Sequence, residues 1–183
     1  MRVAVAITGA SGAPYAYRLL RALRGQAELV ISADGEDVIR TETGRTPKDF
    51  KSLASAWYAN DDFHSPLASG SAPFDAMVIV PCSMNTLAKI ALGLADNLIT
   101  RAAAVALKEG RKLVLVPRET PLSALHLEHM LTIAKRGGTV LPAMPGFYQS
   151  AKTIEDLVDF VVARILDHLG VEHTLMPAWG TKS

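Results

Sequence analysis

The chain has 183 residues, of which 49% are hydrophobic and 20% are charged, as in a single globular domain. Its formal net charge of +1 excludes the strong positive field that nucleic-acid or anionic-membrane binding requires. The single cysteine, Cys82, excludes an internal disulfide and a Cys-rich zinc site, and favours the reducing cytoplasm. No apolar run reaches the roughly 18 residues of a membrane span. We therefore expect a cytoplasmic protein without nucleic-acid or membrane partners.

In chain order, short apolar runs that predict buried strands alternate with helical patterns. The predicted strands are 3–7, 28–32, 76–80, 112–116 and 139–141. The predicted helices are 15–23, about 84–95, about 98–109, 121–136 and 153–169, with a helical turn at 38–42. Residues 44–72 are predicted as one short helix plus a long loop. This alternation predicts one doubly wound α/β domain over residues 1–183, Rossmann-like or flavodoxin-like, with a mostly parallel sheet and a C-terminal tail at 171–183.

Ligands of such sheets bind beyond the carboxyl ends of the strands, and the first strand ends at Gly9-Ala10-Ser11-Gly12-Ala13. Glycines let a ligand approach the backbone, and the following helix offers N–H groups to a phosphate. The spacing is not the dinucleotide fingerprint G-x-G-x-x-G, so NAD is disfavoured, although Asp34 after the second strand keeps it open. The turn also narrowly misses the nucleophile elbow G-x-S-x-G. A plain tight turn is the alternative interpretation.

The strand at 76–80 leads into Pro81-Cys82-Ser83-Met84-Asn85-Thr86. The side chains of Ser83, Asn85 and Thr86 could cap the next helix, or they could donate hydrogen bonds to a ligand. Both interpretations stay open. Cys82 is expected to be packed and unreactive, because no histidine or lysine adjoins it.

The next strand ends at Arg118-Glu119, between two prolines. An arginine there can bind phosphate through its planar fork, and the glutamate can transfer a proton. A local ion pair with a helix cap is the alternative. His126 and His129 match neither H-E-x-x-H nor H-x-x-E-H, so we expect no metal site.

Further candidate residues lie on helices and in the tail. Arg101 and Lys108 are seven residues apart and share one helix face, which could be simply solvated. Arg164 lies on the flank of an apolar helix stripe, where it could bind an anion or extend to water. Tyr148 could supply a hydroxyl, and Trp179 is expected to anchor the tail to a core or a neighbouring subunit.

Taken together, these motifs resemble the flavin prenyltransferase (UbiX-type) family, once called aromatic acid decarboxylases, over nearly the whole chain. Each motif is weak alone, but their order and spacing are specific. The motifs are Gly9-Ala10-Ser11-Gly12-Ala13, Pro81 to Ala88, Asp96-Asn97-Leu98, Arg101-Ala102-Ala103, Leu107-Lys108-Glu109, Leu113-Val114-Leu115, Arg118 to Leu122, Pro145-Gly146-Phe147-Tyr148 and Arg164-Ile165-Leu166-Asp167.

The resemblance implies that the chain joins the dimethylallyl group of dimethylallyl monophosphate to N5 and C6 of reduced FMN, and that phosphate leaves. The prenylated FMN would serve a UbiD-type decarboxylase. The implied FMN-binding residues are Gly9, Ala10, Ser11, Ser32, Ser83, Met84, Asn85, Thr86 and Arg118. The implied prenyl-phosphate ligands are Lys108, Tyr148 and Arg164, with Arg101 close by and Trp179 as a wall of the prenyl pocket.

The resemblance also makes Glu119 the acid/base residue and places Ser11 near flavin N5. The family's sites lie at subunit contacts of a dodecamer, so neighbouring chains would share residues. Glu42 matches a family glutamate only loosely, and we assign it no role. The candidate residues include four cations, Arg101, Lys108, Arg118 and Arg164. These are more than one FMN phosphate needs, which fits a second phosphorylated substrate whose leaving group they stabilise. We expect the reaction to need no metal.

Two alternatives stay open. The first is an FMN-dependent decarboxylase of the cysteine type, which would need a catalytic histidine after the first turn, where residues 8–63 contain none. The second is a non-catalytic flavin carrier that holds FMN for a partner. The sequence leaves open whether the prenyl donor is a mono- or a diphosphate and which aromatic acid pathway is served.

Overall fold

A computed structural model of the chain, which describes residues 1–148 and 151–176, confirms the predicted α/β fold. The described residues form one six-stranded sheet in the order β3-β2-β1-β4-β5-β6, with every neighbouring pair parallel. The strands are β1 (Val3–Ile7), β2 (Ala27–Ile31), β3 (Ala56–Tyr58), β4 (Ala76–Cys82), β5 (Lys112–Pro117) and β6 (Thr139–Val140). Parallel strands need crossover connections, and helices supply most of them here.

Helices cover both faces of the sheet. They are α1 (Ala13–Leu23), α2 (Ala33–Thr43), α3 (Pro47–Lys51), α4 (Met84–Leu92), α5 (Leu98–Lys108), α6 (Ala124–Lys135) and α7 (Ile154–Leu169). Side chains of β1 alternate between two cores: Val5 packs with α1 and α7, and Ala6 packs with α4 and α5. Burial on both faces explains why the strands are continuous apolar runs in the sequence.

Two elements differ from the prediction in the region after β2. Strand β3 was not predicted, because it has only three residues and pairs with β2 alone at the sheet edge. Helix α2 is a full 11 residues rather than a turn at 38–42. Gly35 lowers its helix propensity, yet a side chain there would come within 2.5 Å of the Ile7 carbonyl oxygen. Close packing of α2 on β1 therefore requires glycine at position 35, and that glycine weakens the helical pattern in the sequence.

Helix α6 begins at Ala124 rather than at Pro121. The Ser123 side chain accepts a hydrogen bond from the His126 backbone N–H, and His126 Nδ1 accepts one from the Ser123 N–H. This capping box sets the start of the helix. His126 thus has a structural partner, and Arg118 to Pro121 remain free of helical constraints at the end of β5.

The strand order of the sheet indicates where a ligand-binding crevice should lie. The chain runs outward from β1 to β2 and β3, then crosses to β4 on the other side of β1. In such sheets, ligands bind at the carboxyl ends of the two strands where the order reverses, which here are β1 and β4. Within the described residues, no helix is long and apolar enough to cross a membrane.

Candidate functional site

The turns after β1 and β4 are joined by Thr8, the first residue beyond β1. Its Oγ1 donates to the Pro81 carbonyl oxygen at 2.9 Å and accepts from the Ser83 N–H at 2.8 Å. Thr8 is only 2% exposed, so both bonds are shielded from water. The two turns therefore form one unit at the crevice. Our sequence analysis did not single out Thr8; its position between the apolar strand and Gly9 was the available signal.

The turn after β1 has the open backbone that a bulky ligand needs. A Cβ at Gly9 would overlap the Cβ of Asp34, and Gly12 has a φ of 134°, which side chains disfavour. Between them, Ala10 is buried and Ser11 is exposed. The chain thus presents the Ser11 hydroxyl and bare backbone at the crevice, a surface that suits a planar ring system.

The start of α1 is not open to a phosphate, which corrects our expectation of free N–H groups there. The backbone N–H groups of Gly12 and Ala13 both donate to Glu42 Oε2, at 2.8 and 2.9 Å. The carboxylate at this helix N-terminus is favourable electrostatically. Burial, and then the charge of Glu42, raise the pKa of Tyr15 in the first turn of α1. Glu42 therefore has a defined position next to Ser11.

The polar residues after β2 and β4 cap helices. The Ser32 hydroxyl accepts from the Gly35 N–H at 3.0 Å, and the Ser83 hydroxyl accepts from the Thr86 N–H at 3.2 Å. Both hydroxyls remain partly exposed at the carboxyl edge, as does Asn85. The capping interpretation is thus confirmed for Ser83. Thr86 Oγ1 instead accepts a hydrogen bond from the Ser83 hydroxyl at 3.0 Å, and within the described residues Asn85 forms no capping bond, so ligand binding by these groups stays a prediction.

The other three residues of this turn, Pro81, Cys82 and Met84, are buried. Met84 is 8% exposed, and Cys82 is fully buried in the core below the crevice. Burial raises the pKa of the Cys82 thiol. Cys82 is therefore a packed, unreactive thiol, as the sequence predicts.

Arg118 and Glu119 follow β5 at the same edge. Within the described residues they form no ion pair with each other, contrary to the local-pair interpretation. Glu119 Oε1 instead accepts the Thr120 N–H at 3.1 Å. Both residues line a small cavity of about 70 Å³ with Pro117, Met130 and Met144. An exposed guanidinium and a half-buried carboxyl are thus available to a ligand.

Lys108 lies far from this edge. It is the last residue of α5, four positions before β5 begins, and parallel topology places it at the amino edge of the sheet. Its Nζ contacts Glu109 Oε1 at 2.6 Å. Arg101 shares the exposed face of α5, two turns earlier and roughly 10 Å away along the axis.

Arg164 is exposed on the second half of α7. The end of that helix also approaches the amino edge, where Lys112 Nζ donates to the Leu169 carbonyl oxygen at 3.0 Å. Tyr148 is exposed and packs edge-on against Phe160, with 5.7 Å between ring centroids. Trp179 lies outside the described residues.

One chain therefore assembles only part of the predicted site. It brings together Gly9, Ala10, Ser11, Ser32, Ser83, Met84, Asn85, Thr86, Arg118 and Glu119 along the carboxyl edge. It leaves Lys108 and Arg164 on helix surfaces toward the other edge. Within residues 1–148 and 151–176, no group of three or more His, Cys, Asp or Glu residues could hold a metal ion.

Comparison with known proteins agrees with this geometry. A family model described as Flavoprotein matches residues 1–166. A flavin prenyltransferase UbiX of Methanocaldococcus jannaschii is 50% identical over 183 residues, covering 99% of this chain and 100% of that protein.

Two crystal structures are also similar. A dodecameric FMN-dependent UbiX-like decarboxylase from Escherichia coli O157:H7 has a TM-score of 0.96 at 45% identity, covering 99% of this chain and all of that one. AnUbiX in complex with FMN and dimethylallyl pyrophosphate has a TM-score of 0.96 at 43% identity, covering 100% and 98%.

Proposed function

The chain belongs to the UbiX family of flavin prenyltransferases, and from this premise we propose that it joins a dimethylallyl group to N5 and C6 of reduced FMN. In the reaction, the bond between the allylic carbon and the phosphate oxygen breaks, and the two new bonds to carbon replace the N5–H and C6–H bonds of reduced FMN. One of the two released protons adds to the former double bond of the dimethylallyl group, and the other leaves with the phosphate. The observation that carries the proposal is the joined pair of turns after β1 and β4, with Arg118 and Glu119 beside them. This arrangement offers a flavin a bare backbone surface, hydroxyl groups and a cation.

The exposed turn around Ser11, beside the partly exposed Ser32 and Ser83, supports FMN binding at the carboxyl edge. We assign Gly9, Ala10, Ser11, Ser32, Ser83, Met84, Asn85, Thr86 and Arg118 to FMN. Reduced flavin supplies the nucleophilic N5, and we assign the exposed Ser11 hydroxyl a hydrogen bond to that atom. Met84 contributes through its buried packing rather than through a polar contact.

Glu119 is the proposed proton donor to the departing phosphate. It is a half-buried carboxyl at the end of β5, and the hydrogen bond that it accepts from the Thr120 N–H uses Oε1. Proton transfer by a placed carboxyl contributes roughly 10²–10⁴-fold. Arg101, Lys108, Tyr148 and Arg164 are proposed to bind the prenyl phosphate, with Trp179 beside the prenyl chain. Fixed cations stabilise the charge that develops on the leaving group.

Since one chain keeps Lys108 and Arg164 away from the carboxyl edge, a complete site needs residues from neighbouring subunits. The similar dodecameric protein from Escherichia coli supports the proposal of a homo-oligomer, with a dodecamer as the expected form. We further propose that prenylated FMN passes to a UbiD-type decarboxylase and that the protein acts in the cytoplasm.

The test is anaerobic incubation of FMN-loaded, reduced protein with dimethylallyl monophosphate or diphosphate, followed by mass analysis of the extracted flavin. We expect the flavin to gain one dimethylallyl group, and the two donors to differ in rate. Unchanged flavin with both donors would contradict the proposal and favour a flavin carrier. Because one similar protein carries the name decarboxylase, release of carbon dioxide from aromatic acids is measured in parallel; release without flavin modification would favour that alternative.

A further inference from the structure

Arg164 is held by a carboxylate on its own helix. Its Nη1 donates to Asp167 Oδ2 at 2.7 Å, one helical turn further on. The other oxygen of that carboxylate, Oδ1, lies 3.0 Å from Nε2 of His173. One carboxylate therefore joins a guanidinium of α7 to an imidazole of the segment that follows α7.

The end of α7 is built so that His173 can reach back to Asp167. Gly170 adopts a φ of 79°, and the Val171 N–H donates to the Leu166 carbonyl oxygen at 3.0 Å. A left-handed glycine followed by this backward bond is the usual way to reverse a chain at a helix end. Residues 171–173 consequently fold back against the last turn of α7.

The hydrogen bonds of His173 define which nitrogen donates. Its Nδ1 accepts the Leu175 N–H at 3.4 Å, so the neutral ring carries its proton on Nε2 and donates it to Asp167. The His173 side chain is 13% exposed, whereas those of Arg164 and Asp167 are 52% and 46% exposed. The Asp167 carboxylate is thus held by the nearly buried His173 on one side and contacts the exposed Arg164 guanidinium on the other.

We propose that Asp167 and His173 position Arg164 to bind the prenyl phosphate, and that the same contact fixes the start of the segment leading to Trp179. The inference rests on the proposed function, which assigns Arg164 to that phosphate. Arginine has many rotamers, and holding one of them before the substrate arrives reduces the entropy lost on binding. A guanidinium has five N–H donors, so the bond to Asp167 leaves most of them for a phosphate.

The principal test compares Asp167→Asn, Arg164→Ala and the double variant by steady-state kinetics on FMN-loaded protein. We expect Asp167→Asn to raise KM for dimethylallyl monophosphate about tenfold, because the guanidinium is no longer held, with kcat and FMN affinity nearly unchanged. The double variant should be no worse than Arg164→Ala, since Asp167 acts through Arg164. The matched control is Asp37→Asn, which breaks another one-turn Asp–Arg contact, with Arg40 at 3.0 Å on α2, and should leave KM unchanged.

A second test does not depend on activity. His173→Ala should speed backbone hydrogen exchange in residues 171–176 and raise KM severalfold. His173→Gln, whose amide can still donate to Asp167, should restore most of both properties. Exchange rates that are equal in wild type and His173→Ala would overturn the proposed fixing of the segment.

The kinetic outcomes separate this inference from the proposed function. If Arg164→Ala raises KM but Asp167→Asn does not, or if the two effects add in the double variant, the positioning role is wrong and the prenyl-phosphate site stands. If Arg164→Ala also leaves KM unchanged, both the assignment of Arg164 and the positioning role are wrong. If wild type does not modify FMN at all, the proposed function itself fails.

Discussion

The carboxyl edge of the sheet and the helix-borne cations are fixed by different kinds of contact. At the edge, Thr8 is bonded to Pro81 and Ser83, more than 70 positions away in sequence. On the helices, Lys108 and Arg164 contact carboxylates within three positions of themselves. The sheet therefore brings the residues proposed to bind FMN together within one chain, whereas the cations proposed to bind the prenyl phosphate contact carboxylates near them in sequence.

The energetics of the two regions differ accordingly. The bonds of Thr8 are shielded and hold two turns in a fixed relation, as buried hydrogen bonds do. The pairs Lys108–Glu109 and Arg164–Asp167 are largely exposed, and exposed ion pairs stabilise a protein little. A phosphate can thus replace or share such a carboxylate at small cost. Variants at the edge should accordingly affect the chemical step, and variants of the cations should affect donor binding.

Glu119→Gln should produce the largest effect. The amide keeps the shape and hydrogen-bonding ability of the side chain but cannot donate a proton to the leaving phosphate. We expect single-turnover prenylation to fall by roughly 10²-fold or more while FMN affinity changes little. Flavin absorbance and mass, recorded after mixing reduced FMN-loaded protein with dimethylallyl monophosphate, give the rate.

The matched control is Glu128→Gln on the exposed face of α6, which should retain wild-type turnover. Turnover by Glu119→Gln close to wild type would mean that Glu119 is structural and that the proton comes from another group.

Arg164→Ala should have the next largest effect, and it should act on the donor. Loss of a charge-assisted hydrogen bond of about 1.5–3 kcal/mol corresponds to roughly 10–150-fold weaker binding of dimethylallyl monophosphate. FMN affinity should change little, because Arg118 is the cation assigned to FMN. Titration of each ligand separately checks this division, and a loss confined to FMN would reverse it.

Mixed oligomers test whether the two regions meet across subunits. At a donor concentration far below the wild-type KM, Lys108→Ala chains should bind too little donor and Glu119→Gln chains should react too slowly, so each should be nearly inactive alone. If a site takes Glu119 from one chain and Lys108 from another, equal mixing leaves about a quarter of the sites with both native residues. Prenylation by co-expressed mixtures should therefore recover toward a quarter of wild type, whereas a site built within one chain predicts no recovery.

The fold was predictable where burial fixes the sequence pattern. Strands β1, β4 and β5 are covered on both faces, so they appear as apolar runs that the sequence reveals. Strand β3 escaped prediction because it is short, lies at the edge and leaves Trp57 half exposed. The length of helix α2 was underestimated because Gly35, which allows close packing on β1, has low helix propensity.

The candidate site was predictable from the sequence only where its residues follow directly after buried strands. Motifs at strand ends predicted which residues gather at the carboxyl edge, because parallel topology brings those ends together; their binding of FMN stays a prediction. Side-chain contacts such as those of Glu42 with the start of α1 and of His173 with Asp167 left no periodic signal in the sequence. The positions of Lys108 and Arg164 relative to a flavin could not follow from one chain, since the described structure separates them from the carboxyl edge.

Glu42→Ala should have a moderate effect on stability. It removes a carboxylate that accepts two N–H groups at the start of α1, and a lost cap of this kind costs about 1–2 kcal/mol. Urea denaturation at matched protein concentration measures the change, with Glu128→Ala as the control at an exposed helix position. Equal stability of Glu42→Ala and wild type would contradict the capping contact.

The smallest effect concerns Asp156 at the start of α7. Backbone N–H groups of Lys152 and Thr153 donate to its carboxylate at 2.8 and 2.9 Å, and these bonds hold the pKa of Asp156 below its usual value. A carboxyl whose pKa is depressed by folding stabilises the protein above the unfolded-state pKa of about 3.9, and that contribution is lost as pH falls through the folded-state pKa.

The Tm difference between wild type and Asp156→Asn should therefore be present at pH 6 and shrink as the pH is lowered toward 3. Thr153→Val removes the hydroxyl cap on the Asp156 N–H but keeps the carboxylate and its two backbone bonds, so it should lower Tm and lose only part of the pH dependence. A Tm difference for Asp156→Asn that stays constant across this range would show that the charge of Asp156 does not stabilise the start of α7.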